Sequence, residues 1–293
     1  MKIGRKIRIF KKNFLYFLKK ILNQTLYEFI VLQLAKKKFI KSINTRKTVL
    51  KKSTNLDHIN QYEYKITSQN NEDGIIEYLH KHIKKPDKIF FEIGFDYNEF
   101  NSLNLIKKNW TGTLIDGDQI KYDKLKACVK KYFKYAKIEI FNDFIDFTNI
   151  NQKIAQTIEV KNFDFFSLDT DGMDYWILEN LDYKPKIICA EFNPWLEKFN
   201  KFVIPKKLKF NYQSDMYYGA SLKAYKSLLN KKGYKLVCIE SSGNNAFFIN
   251  PEEFKIEFVE LDVEKSFKQD PKFSVNIYNE VYERLLKKDW VKV

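Results

Sequence analysis

Five short apolar runs, separated by stretches long enough for helices, constrain the fold of this chain more than any other feature of its sequence. We predict strands over residues 88–94, 112–116, 136–141, 163–169 and 186–192. Runs that are apolar throughout are typical of strands that are buried on both faces of a sheet. Because helices must then cover both faces, the pattern predicts a mostly parallel, doubly wound α/β domain.

A different pattern follows the fifth predicted strand. A helix from Leu222 to Leu229 is expected to end at Gly233. Two further β-rich runs, 235–240 and 246–248, are joined by Ser-Ser-Gly-Asn-Asn, which predicts an antiparallel hairpin. Five parallel strands followed by an antiparallel hairpin are the layout of the class I methyltransferase sheet, a Rossmann-like fold, rather than of the nicotinamide-binding one.

The positive charge of the chain lies almost entirely at its N-terminal end. The 293 residues carry a formal net charge of +15. Residues 1–52 hold 16 of the 52 basic side chains and one of the 37 acidic ones, so the other 241 residues carry 36 of each. A neutral body argues against an enzyme that binds nucleic acid in a basic groove, and we expect no nucleic-acid partner.

The basic extension has the spacing of amphipathic helices, which we predict between Ile9 and Leu34. Two apolar series mark their faces: Phe10, Phe14, Phe17 and Ile21, then Leu22, Leu26, Phe29 and Ile30. Such helices lie in a membrane interface, pack on a partner or dock on their own domain, and the last arrangement is the most frequent. The alternatives therefore stay open at this point.

Polar residues interrupt the apolar stretch of the extension, so we expect neither a signal peptide nor a transmembrane helix. The three cysteines, Cys128, Cys189 and Cys238, form no paired framework, which is typical of a reducing compartment. The expected location is the cytoplasm, with peripheral contact to an anionic membrane at its inner face as an option for residues 1–52.

Each predicted strand of the parallel sheet ends in a carboxylate. In an open α/β sheet, ligands bind beyond the carboxyl ends of the strands, near the point where the strand order reverses. The acidic residues expected at that rim are Glu92, Asp116, Asp143, Asp169 with Asp171, and Glu191. Aspartate is common at strand ends for structural reasons alone, but five acidic ends at one rim favour a binding site.

The loop after the first strand argues against phosphate-rich dinucleotides. Gly94 begins the sequence Gly-Phe-Asp-Tyr-Asn instead of the Gly-x-Gly-x-x-Gly loop that brings backbone amides against a pyrophosphate. S-adenosylmethionine has no phosphate and carries a positive sulfonium, so acidic surroundings suit it. We expect Glu92 and Gly94 to line its site and Asp116 to accept hydrogen bonds from the ribose hydroxyls. Asp143 or Phe144 would face the adenine.

Several motifs resemble those of the FkbM-like S-adenosylmethionine-dependent methyltransferases. Residues 68–74, Ser-Gln-Asn-Asn-Glu-Asp-Gly, are similar to a segment that precedes the nucleotide fold in that family. Further similar motifs follow in order at 91–94, 109–117, 168–176, 190–193, 218–222 and 243–248. The resemblance covers residues 62–250. It implies methylation of a sugar hydroxyl in a surface polysaccharide, a lipopolysaccharide or a natural-product glycoside.

The expected organisation has three parts: a basic amphipathic helical extension over 1–52, a methyltransferase domain over 53–250, and a tail with a last helix over 251–293. One alternative is a non-catalytic protein of this fold that binds glycan or scaffolds a complex at a membrane. Asn98 lies near the position where the family commonly has a second glycine, which favours this non-catalytic alternative, whereas the acidic rim argues against it. A nucleic-acid methyltransferase is supported by the total charge alone.

Methyl transfer requires a hydroxyl oxygen that is held in line with the sulfonium methyl and relieved of its proton. We predict that Asp169 and Asp171 position that oxygen and accept its proton, because neighbouring carboxylates raise one another's pKa. Glu191 is the next candidate for the base. The same three carboxylates would alternatively hold a divalent cation such as Mg²⁺.

The predicted substrate side of the site lies on later segments of the chain. Asn193 follows the fifth strand, Gly219 precedes the helix at Leu222, and Asn245 begins the last β-rich run. We expect these residues to contact the sugar, with the amides orienting its hydroxyls.

Overall fold

A central sheet with helices on both faces organises the chain. The structure is a computed structural model that describes residues 2–45, 47–49, 59–196, 200–208, 210, 212–267 and 273–293. Its strands are β1 (Thr48–Val49), β2 (Tyr64–Lys65), β3 (Ile89–Ile93), β4 (Thr111–Ile115), β5 (Ile138–Phe141), β6 (Phe165–Leu168), β7 (Ile187–Glu191), β8 (Phe202–Val203), β9 (Lys235–Ile239), β10 (Asn245–Ile249) and β11 (Val291–Lys292).

The helices alternate with the strands of the sheet and continue at both ends of the chain. They are α1 (Lys2–Ile21), α2 (Gln24–Ile43), α3 (Glu72–Lys81), α4 (Leu103–Lys107), α5 (Gln119–Tyr132), α6 (Ile150–Ala155), α7 (Asp174–Asn180), α8 (Leu222–Lys231), α9 (Val263–Ser266) and α10 (Val275–Leu286). Helices α6, α7 and α8 cover one face of the sheet, and α2 to α5 cover the other.

Seven strands form the main sheet, in the spatial order β5-β4-β3-β6-β7-β10-β9. Strands β3 to β7 pair in parallel, whereas β10 runs antiparallel to both β7 and β9. The predicted class I methyltransferase sheet with its C-terminal antiparallel pair is therefore confirmed. Because the strand order reverses between β3 and β6, a ligand is expected at the carboxyl ends of these two strands.

The apolar strands are explained by the two cores of the domain. Phe90 and its neighbour Phe165 on β6 face one core, whereas Phe91 and its neighbour Phe166 face the other. All four side chains are fully buried. Full burial of a phenylalanine side chain is worth about 1.5 to 3 kcal/mol, so successive phenylalanines in one strand fix the sheet between two helical layers.

The two N-terminal helices are confirmed, and α2 packs along α5. Their buried contacts come from Leu15 on α1 and from the set Tyr27, Val31, Ala35 and Phe39 on α2. Much of the apolar series predicted from the sequence lies on the opposite, exposed face. In the part of the chain that the structure describes, no helix is both long and apolar enough to cross a membrane.

The C-terminal tail returns to the domain. Strand β11 pairs antiparallel with β8, which places Val291 opposite Val203. The predicted last helix is confirmed as α10, which buries Tyr278 and Leu285. Residues 46 and 50–58, which include the boundary predicted between residues 52 and 53, lie outside the described residues, and the domain boundaries stay a prediction.

Candidate active site

A cavity of about 570 Å³ opens at the carboxyl ends of β3, β4 and β6. This is the point where the strand order reverses. Eight of the eleven residues predicted for the site line it, namely Glu92, Gly94, Asp116, Asp143, Phe144, Asp169, Asp171 and Asn245. The converging strand ends thus bring into one space residues that are up to 153 positions apart in the chain.

Gly94 lets the loop after β3 pass directly against the end of β6. Its backbone has a φ of +80°, and a Cβ at this position would lie 1.6 Å from the carbonyl oxygen of Asp169. The two loops are further joined through the amide of Asp169, which donates to the carbonyl of Ile93 at 3.0 Å. Glycine is therefore required here both for its backbone conformation and for its lack of a side chain.

Glu92 holds the next part of that loop. Its two carboxylate oxygens accept hydrogen bonds from the backbone amides of Asn101, at 3.0 Å, and Ser102, at 2.8 Å. The side chain is buried, and burial raises its pKa to about 7. Glu92 thus shapes the wall of the cavity, and its direct contact with a cofactor stays a prediction.

Asp116 is held in a fixed orientation at the end of β4. It accepts hydrogen bonds from the backbone amides of Phe95, at 3.1 Å, and Asp118, at 2.6 Å. The ammonium of Lys121, in the first turn of α5, lies 3.2 Å from the same oxygen that accepts from Phe95. Since the backbone bonds fix the carboxylate, a ribose hydroxyl could replace the lysine without any change in the chain fold.

The side of the cavity predicted for adenine is formed by Asp143 and Phe144. The Asp143 carboxylate forms an ion pair with Lys153, which lowers its pKa. Phe144 is half exposed and lies beside Gly117. An exposed aromatic ring at the edge of a cavity can stack on a planar base, whereas Asp143 is already paired.

Three carboxylates form the centre of the site. Ligand atoms of Asp169, Asp171 and Glu191 all lie within 4.8 Å of one another. Burial, followed by the charges of Asp171 and Asp174, raises the pKa of Asp169 to about 7. Burial and the charge of Asp169 raise the pKa of Glu191 well above its usual range, and these two carboxyl groups share a hydrogen bond. The shared hydrogen bond raises the pKa of Glu191 and lowers that of Asp169, so it favours the proton on Glu191.

Asp174, a residue that the sequence did not single out, organises the turn that carries these groups. Its carboxylate accepts hydrogen bonds from the amide and the hydroxyl of Thr170, both at 2.8 Å, and from the amide of Gly172 at 3.1 Å. Between them, Asp171 has a φ of +54°, which is unusual for a residue other than glycine. Such backbone strain persists where the surroundings enforce it, often at functional sites.

The raised pKa of Asp169 predicts a specific dependence of stability on pH. The folded chain keeps this proton up to about pH 7, whereas an unfolded aspartate loses it near pH 4, so stability falls as pH rises between the two values. We expect Asp169→Asn to raise the free energy of unfolding by about 2 kcal/mol at pH 8, after allowance for partial exposure. Near pH 4 the difference should vanish, as measured by denaturant titration at both pH values.

Asp143→Asn is the control for this experiment, because the pKa of Asp143 is lowered by Lys153 and its carboxylate is stabilised. This variant should gain no stability at pH 8. Equal stability of Asp169→Asn and the unsubstituted chain at pH 8 would contradict the raised pKa.

The three residues predicted for the substrate occupy different environments. Asn193 is fully buried, and its amide donates to the carbonyls of Met216 and Tyr218, both at 2.9 Å. It therefore holds the segment before α8 in place. Asn245 lines the cavity and donates to Glu72 at 2.7 Å, while Gly219 lies outside the cavity lining with a φ of +57°. Substrate contact by these residues stays a prediction.

Comparison with known proteins finds distant similarity among solved structures. No protein-family profile matches the sequence, and no curated protein sequence matches it. Among solved structures, the N-terminal domain of EvdMO1 with bound SAH is similar at 10% identity and a TM-score of 0.43, over 74% of this chain and 94% of that one.

Two further solved structures are similar to a comparable degree. TrmK from M. capricolum, in complex with SAH, matches at 14% identity and a TM-score of 0.39, over 71% of this chain and 81% of that one. Magnesium protoporphyrin IX methyltransferase (ChlM) from Synechocystis PCC 6803, with bound SAM, matches at 9% identity and a TM-score of 0.38. The match covers 60% of this chain and 76% of that one. The fold assignment itself rests on the strand order and pairing described above.

Proposed function

We propose that the chain binds S-adenosylmethionine in this cavity and transfers its methyl group to a hydroxyl oxygen. The observation that carries the proposal is the charge of the cavity lining: its described residues include eight carboxylates and two lysines, Lys12 and Lys121. Both lysines are already paired, with Asp118 and Asp116 respectively. An acidic cavity repels phosphates and attracts a cationic ligand, and the sulfonium of this cofactor is a cation.

The residues present fit the parts of this cofactor. Asp116 would accept the ribose hydroxyls, and the ring of Phe144 would stack on the adenine. The loop from Gly94 to Ser102, held by Glu92, would cover the amino-acid end. Asp169 would then face the sulfonium, since it lies on the same cavity at the neighbouring strand end.

The bound cofactor would supply an electrophilic methyl group. Asp169 has the pKa of a base that works near neutral pH, so we propose that it accepts the proton of the acceptor hydroxyl as the new C–O bond forms. The electron pair of the broken C–S bond stays on sulfur. Glu191, whose pKa is raised by the hydrogen bond that it shares with Asp169, would donate that bond and keep Asp169 oriented. Asp171 would position the hydroxyl.

The resemblance to FkbM-like methyltransferases supports a sugar hydroxyl in a surface polysaccharide or glycan as the acceptor. The buried and half-buried carboxylates and Asn245 offer several hydrogen-bond acceptors and donors for such a hydroxylated substrate. A divalent cation on Asp169, Asp171 and Glu191 is the second version of the proposal, because carboxylate oxygens are the ligands that Mg²⁺ prefers. Chelation distinguishes the two versions.

Cofactor binding is tested by Asp116→Ala. The loss of an acceptor for two hydroxyls should weaken S-adenosylmethionine binding by about 1 to 3 kcal/mol, because the ligand groups are left unpaired. Titration calorimetry measures this directly. Asp182→Ala, at an exposed aspartate after α7, is the matched control and should bind like the unsubstituted chain. Binding that Asp116→Ala leaves unchanged would contradict the assignment of the ribose site.

Besides Asn98, a non-catalytic role is favoured by the Lys121 ammonium, which lies 3.2 Å from Asp116 on the side of the cavity proposed for the ribose. If this ion pair excludes the cofactor, calorimetry with S-adenosylmethionine will give no heat at all. In that case Lys121→Met should restore binding, whereas in a functional enzyme it should change affinity little.

A further inference from the structure

We propose that α1 and α2 together form a docking surface for an anionic lipid bilayer. Six large apolar side chains of these helices point away from the rest of the protein, with exposed fractions between 44% and 59%. They are Phe14, Phe17 and Ile21 on α1, and Leu26, Phe29 and Leu34 on α2. Residues three or four apart are neighbours on a helix, as Phe14, Phe17 and Ile21 are, and so are Leu26 and Phe29. Groups of exposed apolar side chains of this size mark an interaction surface in a folded protein.

These six side chains are not needed to attach the helices to their own domain. That contact uses the opposite faces, where Leu15, Tyr27 and Val31 pack on Ile120 and Ala127 of α5. The helices therefore do dock on their own domain, but through these buried residues and not through the six exposed side chains. The outward faces remain available.

Ion pairs and hydrogen bonds fix the helices in this orientation. Lys12 lies 2.7 Å from Asp118, and Lys19 lies 3.1 Å from Asp123. The Tyr27 hydroxyl donates to Asp123 at 2.7 Å. The apolar faces are thus presented by helices that are already folded and anchored, so little ordering entropy is lost when they are covered.

Charge identifies the occupant as an anionic surface. Residues 1–52 carry 16 basic side chains and one acid, Glu28, which accepts a hydrogen bond from Lys130. Exposed lysines flank the apolar side chains at Lys20, Lys37 and Lys38. Helix α10 also exposes apolar residues, but it carries two acids, Glu280 and Glu283, which an anionic membrane would repel.

The physical arrangement is that of an interfacial helix pair. Apolar side chains enter the boundary between head groups and acyl chains, and lysines contact the anionic head groups. Since neither helix is apolar enough to span the bilayer, both lie along its surface. The proposal depends on this surface alone and stands apart from the chemistry of the cavity.

The test is co-sedimentation of the full chain with vesicles of one part phosphatidylserine to two parts phosphatidylcholine. We expect binding to these vesicles and little to pure phosphatidylcholine. The double substitution Phe17→Ser with Phe29→Ser should weaken it by about tenfold or more, because two exposed rings no longer enter the interface. Lys20→Gln and Lys37→Gln should each weaken it about fivefold.

Ile277→Ser is the matched apolar control, since this exposed side chain lies on the acidic helix α10, and Lys287→Gln is the matched lysine control. Both should bind like the unsubstituted chain, and circular dichroism should show all variants folded. Binding in 1 M salt should fall sharply, as the Debye length is then about 3 Å. Absence of vesicle binding, equal binding by the Phe17 and Phe29 variant, or a stable dimer that this variant abolishes would overturn the proposal.

Discussion

Replacement of Asp169 or Asp171 by asparagine is expected to reduce methyl transfer by about 10² to 10⁴-fold, the range typical of an acid–base residue. Asparagine keeps the size of the side chain, but in place of Asp169 it cannot accept the hydroxyl proton, and in place of Asp171 it offers no carboxylate to position the hydroxyl. A group that acts only in the transition state affects turnover more than binding. S-adenosylmethionine affinity, measured by calorimetry, should therefore change little, while single-turnover transfer to a glycan or nucleotide-sugar acceptor should be lost.

Three further measurements make this prediction specific. Asp182→Asn, at an exposed site, is the control and should keep full activity. Activity of the unsubstituted chain should rise with pH through about 7, because Asp169 must lose its proton to act as the base. Loss of activity in EDTA and recovery with magnesium would instead assign these carboxylates to a metal. Full activity of both variants would show that the turn has only a structural role and leave Glu191 as the base.

Gly94→Ala is expected to have the largest effect on both folding and binding. Its methyl group would lie 1.6 Å from the Asp169 carbonyl oxygen, and this oxygen belongs to the backbone, so no side-chain rotation relieves the contact. Strain at positive φ and overpacking together should cost about 3 to 5 kcal/mol. The ends of β3 and β6 would have to separate, so we expect cofactor binding to be lost as well.

Gly219→Ala separates the two causes of that effect. Gly219 also has a positive φ, of +57°, but a Cβ there would have no heavy atom within 4 Å. This variant should lose only about 1 kcal/mol, the cost of the backbone conformation. Denaturant titration of both variants measures the difference. If the two losses are equal, the close approach between the loops of β3 and β6 is not what makes Gly94 necessary.

The sequence was sufficient to predict the sheet and its acidic rim. Strands β3 and β6 each carry two successive phenylalanines, and such continuous apolarity identifies a strand covered on both faces. Once the strands are parallel, their carboxyl ends must meet, which is why Asp116 and Asp169 could be assigned to one site. Strand boundaries differ by at most two residues: β5, predicted from residue 136, begins at Ile138, and β6, predicted from residue 163, begins at Phe165.

The contacts of individual polar side chains could not be predicted, because they depend on loops distant in sequence. Asn193 was expected to contact substrate, yet its side-chain amide donates hydrogen bonds to backbone carbonyls that lie more than 20 residues later in the chain. Lys121 reaches Asp116 from the first turn of α5, but nothing distinguishes it among 52 basic residues. The helical spacing likewise predicted an apolar face on each of α1 and α2. It could not show that both helices pack on the domain through other residues and leave those faces exposed.

The bond between Lys12 and Asp118 makes α1 part of the wall of the cavity. Any ligand that draws the Lys12 ammonium away from Asp118 would also loosen the first helix from α5. Suppose that a surface binds α1 and holds it in a changed position. By thermodynamic linkage, the factor by which the surface changes the affinity for the ligand equals the factor by which the ligand changes the affinity for the surface. The ion pair of a single lysine would therefore couple ligand binding in the cavity to the position of the N-terminal helix.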